Sequence, residues 1–134
     1  MKQSRVNELQ KGGVAAYLTA GWSGLKDEQV LIKIRDFHRK GFNAFKLKVG
    51  NDLSSDRHRL AMIRQEFGSD VRLMVDANQI WGVKEAIDYM QELAEFGLLW
   101  IEEPTARDDV LAHQMIARNL NGIGIGVAAG EQIP

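Results

Sequence analysis

The sequence predicts an α/β protein whose parallel sheet is joined by helical crossovers, on three observations. Apolar segments of strand character recur at regular steps, amphipathic helical stripes fill the intervals, and glycines close those stripes. The apolar segments open at Val14, Ala44, Val71, Leu98 and Ile123, roughly 25 to 30 residues apart, the size of a strand, loop, helix, loop unit. Parallel neighbours need a long connection, and a helix is the common one. About five strands and four helices fall short of the eight units that close a barrel, so the residues leave half a barrel or an open sheet.

Each element has its own signal. Residues 1–13 are polar and predict a loosely ordered N-terminal segment. Strand character follows from Val14 to Leu18, and Val30, Ile34 and Phe37 then mark the first apolar stripe at helical spacing. The second strand runs from Ala44 to Val49, with Leu60, Ile63 and Phe67 as the next stripe. Val71 to Val75 form the third strand, before a stripe of Ala86, Met90, Leu93 and Ala94. Leu98 to Ile101 make the fourth, and Leu111, Met115 and Ile116 mark the last helix ahead of a strand from Ile123 to Val127. Gly41, Gly68 and Gly97 each follow a helical stretch, where a residue without Cβ can turn left-handed and end the helix.

Composition narrows the function. The chain has 134 residues, 45% hydrophobic and 26% charged, with a net charge of -1. That is ordinary for one globular domain and gives no basic excess for gripping nucleic acid. The absence of cysteine excludes thiolate ligands and thiol nucleophiles and fits a reducing compartment. No apolar run approaches the roughly 20 residues of a membrane span, and the N-terminus lacks the apolar core of a signal peptide. A cytoplasmic protein that binds neither membrane nor nucleic acid is the expectation.

Chemistry is concentrated at the ends of the predicted strands. In Phe45-Lys46-Leu47-Lys48-Val49-Gly50 the side chains alternate, so Lys46 and Lys48 share one face. Lysines on an edge strand are commonly solvated. These two lie near a C-terminal strand end, where α/β proteins place their sites, and a lysine beside a second cation has a depressed pKa and can serve as a base. Three later strands stop at an acid: Val75-Asp76-Ala77-Asn78-Gln79, Trp100-Ile101-Glu102-Glu103-Pro104 and Gly130-Glu131. Singly, each acid reads as a helix cap or loop residue, and for Glu103 and Asp108 that reading stands first. Three carboxylates converging on one rim repel unless a cation neutralises them. Oxygen donors without cysteine favour Mg²⁺ or Mn²⁺ over zinc or copper. A lysine base beside such a site suits removal of the proton α to a carboxylate, whose second negative charge a metal must bind as it forms.

At these residues the chain resembles the enolase superfamily, in its mandelate racemase subgroup, for which a lysine or histidine base and magnesium are described. It is most similar to L-fuconate dehydratases, through Lys46 to Gly50, Val75 to Gln79, Trp100 to Thr105, Asp108 to His113 and Gly130 to Gln132. The similarity runs from about Ala15 to Gln132. It implies a partial (β/α)8 barrel over residues 14–134. It also implies that Lys48 is the base, that Lys46 lowers its pKa and meets the substrate carboxylate, and that Asp76, Glu102 and Glu131 bind Mg²⁺. Asn78, Glu103 and Trp22 become candidates for substrate contact or for supporting the ligands.

The same resemblance implies a capping domain and further strands with an Asp and His pair that protonates the departing hydroxyl. On this reading the chain carries neither, and two half-barrels pair into a homo-oligomer to cover the open edges. The expected function is a Mg²⁺-dependent sugar-acid dehydratase, incomplete as an isolated chain. The alternative is a noncatalytic half-barrel that binds metal and self-associates. Other signals are weaker. His113 reads as structural, His38 and His58 as solvated. The Gly124 to Ala129 run imitates a dinucleotide fingerprint but lacks a following helix. No serine and histidine arrangement suggests a hydrolase.

Overall fold

Helix α1 (Lys2–Gly12) opens the chain in the computed structural model, which describes residues 2–22 and 24–130. Strands and helices then alternate: β1 (Leu18–Gly21), α2 (Asp27–Arg39), β2 (Ala44–Lys48), α3 (Leu53–Phe67), β3 (Arg72–Asp76), α4 (Val83–Glu92), β4 (Leu98–Glu102), α5 (Val110–Asn121) and β5 (Gly126–Ala128). All five strands are parallel and stand in sequence order in one sheet. The predicted α/β class and parallel sheet are therefore present, with one helix more than expected. That extra helix is α1, where polar residues predicted loose order; its described side chains stay exposed, and Gln3 to Asn7 and Ser4 to Glu8 hydrogen bonds link successive turns.

Local chemistry explains most of the boundaries. Asp52 and Asp109 cap α3 and α5 by accepting from the backbone N–H of Ser55 (3.0 Å) and Ala112 (2.9 Å), each satisfying a donor the helix cannot use. Gly41, Gly68 and Gly97 all take positive φ (94°, 55° and 59°) where a helix gives way to the next strand. One side of the sheet packs Phe45, Leu47, Leu73, Val75 and Ile101 against Val30, Ile34, Leu60, Ile63, Met90, Leu93, Ile116 and Leu120 in a single core. Each such side chain contributes about 1.5–3 kcal/mol by leaving water.

Three local expectations need correction. The apolar run Val14 to Leu18 is not the first strand: pairing starts at Leu18 opposite Phe45, and Val14 is 78% exposed. In α5 the buried face is Ala112, Ile116 and Leu120, while Leu111 and Met115 are exposed. The inward face is the one that packs on the core, and Ala112 lies on it at helical spacing from Ile116 and Leu120. The last strand is shorter and later than predicted. The chain first wraps the end of α5, with Ile123 and Ile125 N–H both donating to the Leu120 carbonyl.

Strand β4 carries an irregularity that matters for the site. Leu73 pairs with Leu98, yet Val75 pairs with Ile101, so β4 spends three residues where β3 spends two. Plain alternation would put Leu98 and Trp100 on one face. The bulge instead keeps Leu98 and Ile101 in the core, both buried, and leaves Trp100 and Glu102 on the opposite face. Beyond it the strand ends come into line: Lys48 is opposite Asp76, Asp76 opposite Glu102, and Glu102 opposite Ala128.

The N-terminal ends of the strands are tied by Arg64. From α3 its guanidinium donates to the carbonyls of Phe96, Gly68 and Val71, each at 2.7 Å, and of Gly97 at 3.1 Å. Burial pushes its pKa down. The charge is held by four peptide dipoles rather than by a carboxylate.

Candidate active site

On the face away from the core, the aligned strand ends bring four charged side chains together. The Lys48 ammonium lies 2.6 Å from Asp76 Oδ2, and the Lys46 ammonium lies 3.0 Å from that same oxygen and 2.5 Å from Glu102 Oε1. Lys46, Asp76 and Glu102 are buried, at 5%, 1% and 8% exposure. Two ammonium groups against two carboxylates make the cluster neutral, which is what permits charges to leave water.

The electrostatics follow from these contacts. Burial disfavours the Lys46 ammonium, but its hydrogen bonds to Glu102 and Asp76 outweigh that and hold its pKa above the ordinary value. Burial likewise opposes ionisation of Asp76; the hydrogen bonds from Lys48 and Lys46, and one from the Asn78 N–H at 3.0 Å, outweigh it and keep the carboxyl below the usual range. The expectation had Lys46 lower the pKa of Lys48 and meet the substrate carboxylate; in the structure its ammonium bridges two acids.

The remaining predicted residues surround this cluster. Asn78 is exposed, with its backbone at a left-handed φ of 50° and its N–H on Asp76. The Trp22 ring lies 5.7 Å from the Lys48 ammonium and is 53% exposed. Glu103 is 2% exposed at a φ of 43°, and its Oε2 accepts from Gln79 Nε2 at 3.1 Å, which ties the loops after β3 and β4. Glu131 lies outside the described residues, three positions beyond Ala128, the partner of Glu102 in β5. His113 bonds the Asp109 carbonyl within its own helix, His38 packs edge-on against Phe67, and His58 is largely exposed.

One residue at the site went unassigned from sequence. The Tyr17 hydroxyl donates to Glu102 Oε2 at 3.4 Å, its ring stands 5.4 Å from the Lys46 ammonium, and it meets Trp100 edge-on at 5.6 Å. Its place follows from the register seen in the structure, where Thr19 pairs with Lys46 and Tyr17 directly precedes β1. Tyr17, Thr19, Lys46, Trp100, Glu102 and Ala128 line an open cleft of about 480 Å³ beside the charges.

Among the described residues no group of three acids or histidines is placed to hold a metal ion. Asp76 and Glu102 nonetheless suit a hard cation: both are buried oxygen donors, and the Lys46 ammonium already supplies a positive charge between them. No described helix is long and apolar enough to cross a membrane.

Known proteins share this arrangement of strands. The L-galactonate dehydratase of Hypocrea jecorina is 46% identical over 134 residues, 97% of this chain and 30% of that protein. The crystal structure of human mitochondrial enolase superfamily member 1 matches with a TM-score of 0.91 at 42% identity, covering 98% of this chain and 30% of its own. That of L-talarate/galactarate dehydratase from Salmonella typhimurium LT2, liganded with Mg and L-lyxarohydroxamate, matches with a TM-score of 0.78 at 34% identity over 88% of this chain and 30% of its own. The chain thus spans about 30% of the length of these relatives, which include sugar-acid dehydratases. The family described as Enolase C-terminal domain-like matches residues 29–134, and with that match the chain belongs to the enolase superfamily.

Proposed function

We propose that residues 14–134 form part of a barrel that removes water from a sugar acid of the L-fuconate or L-galactonate type, with Lys48 as the base that takes the proton α to the carboxylate. The observation that carries this reading is the row of Lys48, Asp76 and Glu102 across three neighbouring strand ends, with Lys46 bridging the two acids. Asp76 and Glu102, with Glu131, are the residues that would hold Mg²⁺. When bound, such an ion offsets negative charge developing on the substrate carboxylate. Lys46 then turns from the acids to the substrate carboxylate. Asn78 and Trp22 stand at the exposed side, where a substrate enters, and Glu103 holds the loops that carry Asn78. Similarity to dehydratases, one of them crystallised with Mg, supports the reaction class.

The proton-transfer half of the reaction is the part to test. In D₂O with Mg²⁺, L-fuconate, L-galactonate or galactarate should lose its α-proton signal in NMR spectra. Lys48→Ala should slow that exchange by about 10²–10⁴-fold, the usual worth of a positioned base. Equal exchange by the variant would reject Lys48 as the base.

A second reading is favoured by the neutrality of the four-charge cluster, which is self-sufficient as a structural ion-pair network. On that reading the chain is a noncatalytic module that binds metal and self-associates across its open edges. It is supported if Mg²⁺ raises the melting temperature while no sugar acid exchanges. Self-association is part of both readings, and light scattering that finds a soluble monomer would count against it.

A further inference from the structure

A second buried acid, Asp56, takes no part in the row of charges. It stands in the first turn of α3 at 7% exposure. Its Oδ2 accepts two hydrogen bonds of 2.7 Å, from the Gly50 N–H and from the Tyr89 hydroxyl of α4. Gly50 is the second residue after Lys48 and turns the chain out of the sheet at a φ of 110°. A Cβ there would meet the end of the Ile80 side chain at 2.4 Å and Trp81 at 3.0 Å, and a φ of 110° is one that residues with a Cβ rarely adopt. Trp81 is in turn packed on Tyr89, with ring centroids 4.5 Å apart. On its other flank the turn is fixed by the Val49 N–H, which donates to the Asp76 carbonyl at 3.0 Å.

We infer that Asp56 is a positioning residue for Lys48: by clamping the Gly50 N–H it fixes how the chain leaves β2, and so where the Lys48 ammonium comes to rest against Asp76. The functional weight of this inference rests on Lys48 being the base. Lys48 is the last residue of β2, so its main chain has ladder support on the β3 side, and Asp56 supplies the support beyond the strand. Both donors to Asp56 are neutral and share one oxygen, and an amide oxygen could accept from both. What Asp56 contributes is then the place of an acceptor rather than its charge, which burial already disfavours, as its raised pKa shows.

Placement and charge separate in three variants of the full chain. Asp56→Asn keeps an acceptor at the same reach without the charge; Asp56→Glu keeps the charge and moves it by one methylene; Asp56→Ala removes both. Nitrogen-15 NMR of the lysine ammonium groups, assigned by substituting Lys46 and Lys48 with arginine, reads the position directly. The Lys48 cross peak should stay in place in Asp56→Asn and shift or broaden away in Asp56→Glu and Asp56→Ala, with the Lys46 peak retained in all three. α-Proton exchange should stay within twofold in Asp56→Asn and fall at least tenfold in the other two. A Lys48 peak that stays unmoved in Asp56→Glu and Asp56→Ala while their melting temperature falls would overturn the inference and leave Asp56 a structural residue. If Asp56→Ala does not fold, the Asn and Glu pair decides. If the unmodified chain exchanges no proton, the reading of Lys48 as base fails, and the cross peaks still settle whether Asp56 places it.

Discussion

Replacing Lys46 with methionine is expected to cost the protein about 3–5 kcal/mol of stability in the presence of a chelator, the usual penalty for removing one partner of a buried ion pair. Methionine fills much the same volume, so the loss is electrostatic. Without the ammonium, Glu102 loses its 2.5 Å partner, and it and Asp76 are left as buried carboxylates with one positive charge fewer between them. Mg²⁺ should then raise the melting temperature of Lys46→Met by more than it raises that of the unmodified chain, because the ion no longer competes with an ammonium for the two acids. Urea unfolding at several Mg²⁺ concentrations measures both effects, and a smaller Mg²⁺ shift in the variant would refute the idea of a shared cation position.

The pH dependence of the same substitution has a definite sign. Lys46 has a folded pKa above its ordinary 10.5, so its contribution is complete below that value and is lost as pH rises through the folded pKa. Asp76 has a folded pKa below its ordinary 3.8, so its contribution is present above that value and is lost as pH falls through the folded pKa. Lys46→Met should therefore flatten the alkaline limb of the stability profile. It should also weaken the acid limb, because one of the two ammonium groups that hold Asp76 ionised is gone.

The other large effect is expected at the opposite end of the strands. Arg64→Ala leaves four carbonyl groups without their donor, those of Phe96, Gly97, Gly68 and Val71. Hydrogen bonds to a charged group are worth about 1.5–3 kcal/mol each, and water reaching this partly exposed site replaces some of them. A net loss of about 3 kcal/mol is expected, which lowers the melting temperature by roughly 10 °C for a chain of this size. Arg64→Lys should recover less than half of it, since one ammonium cannot fork between acceptors on two separate loops. Thermal unfolding of both variants reads this out; full recovery by lysine would show that charge alone, not the fork, joins the loops.

The class of fold was legible because period and punctuation agreed. Val30 and Ile34, Leu60 and Ile63, and Ala86 and Met90 are buried where their spacing put them, and the acids Asp76 and Glu102 end strands where apolar runs stop. Legibility failed where distant partners decide. In α5 three large residues outlined a stripe, but packing turns Ala112 inward with Ile116 and Leu120 and leaves Leu111 and Met115 outside, and an alanine leaves little trace in a hydrophobic pattern. The bulge in β4 depends on pairing with β3, 25 or so residues earlier in a unit of this size, and nothing within Leu98 to Glu102 announces it. Lys46 and Lys48 share one face as their alternation requires, but their direct ion pairs with Asp76 and Glu102 were not read from the sequence. Asp56 and Arg64 carried no signal in the sequence, since several of their partners, Tyr89 for Asp56 and Phe96 and Gly97 for Arg64, lie about 30 residues further along.

The extra residue in β4 separates two demands that an ordinary strand would have to meet together. Its lower half is graded by oil and its upper half by ions, and the kink between them lets each be rewritten without re-indexing the other. Loop grafts onto this scaffold should therefore be spliced after Trp100, leaving the kink with the host; a cut made before Leu99 would carry a different count of residues and swing the incoming acid toward the helices.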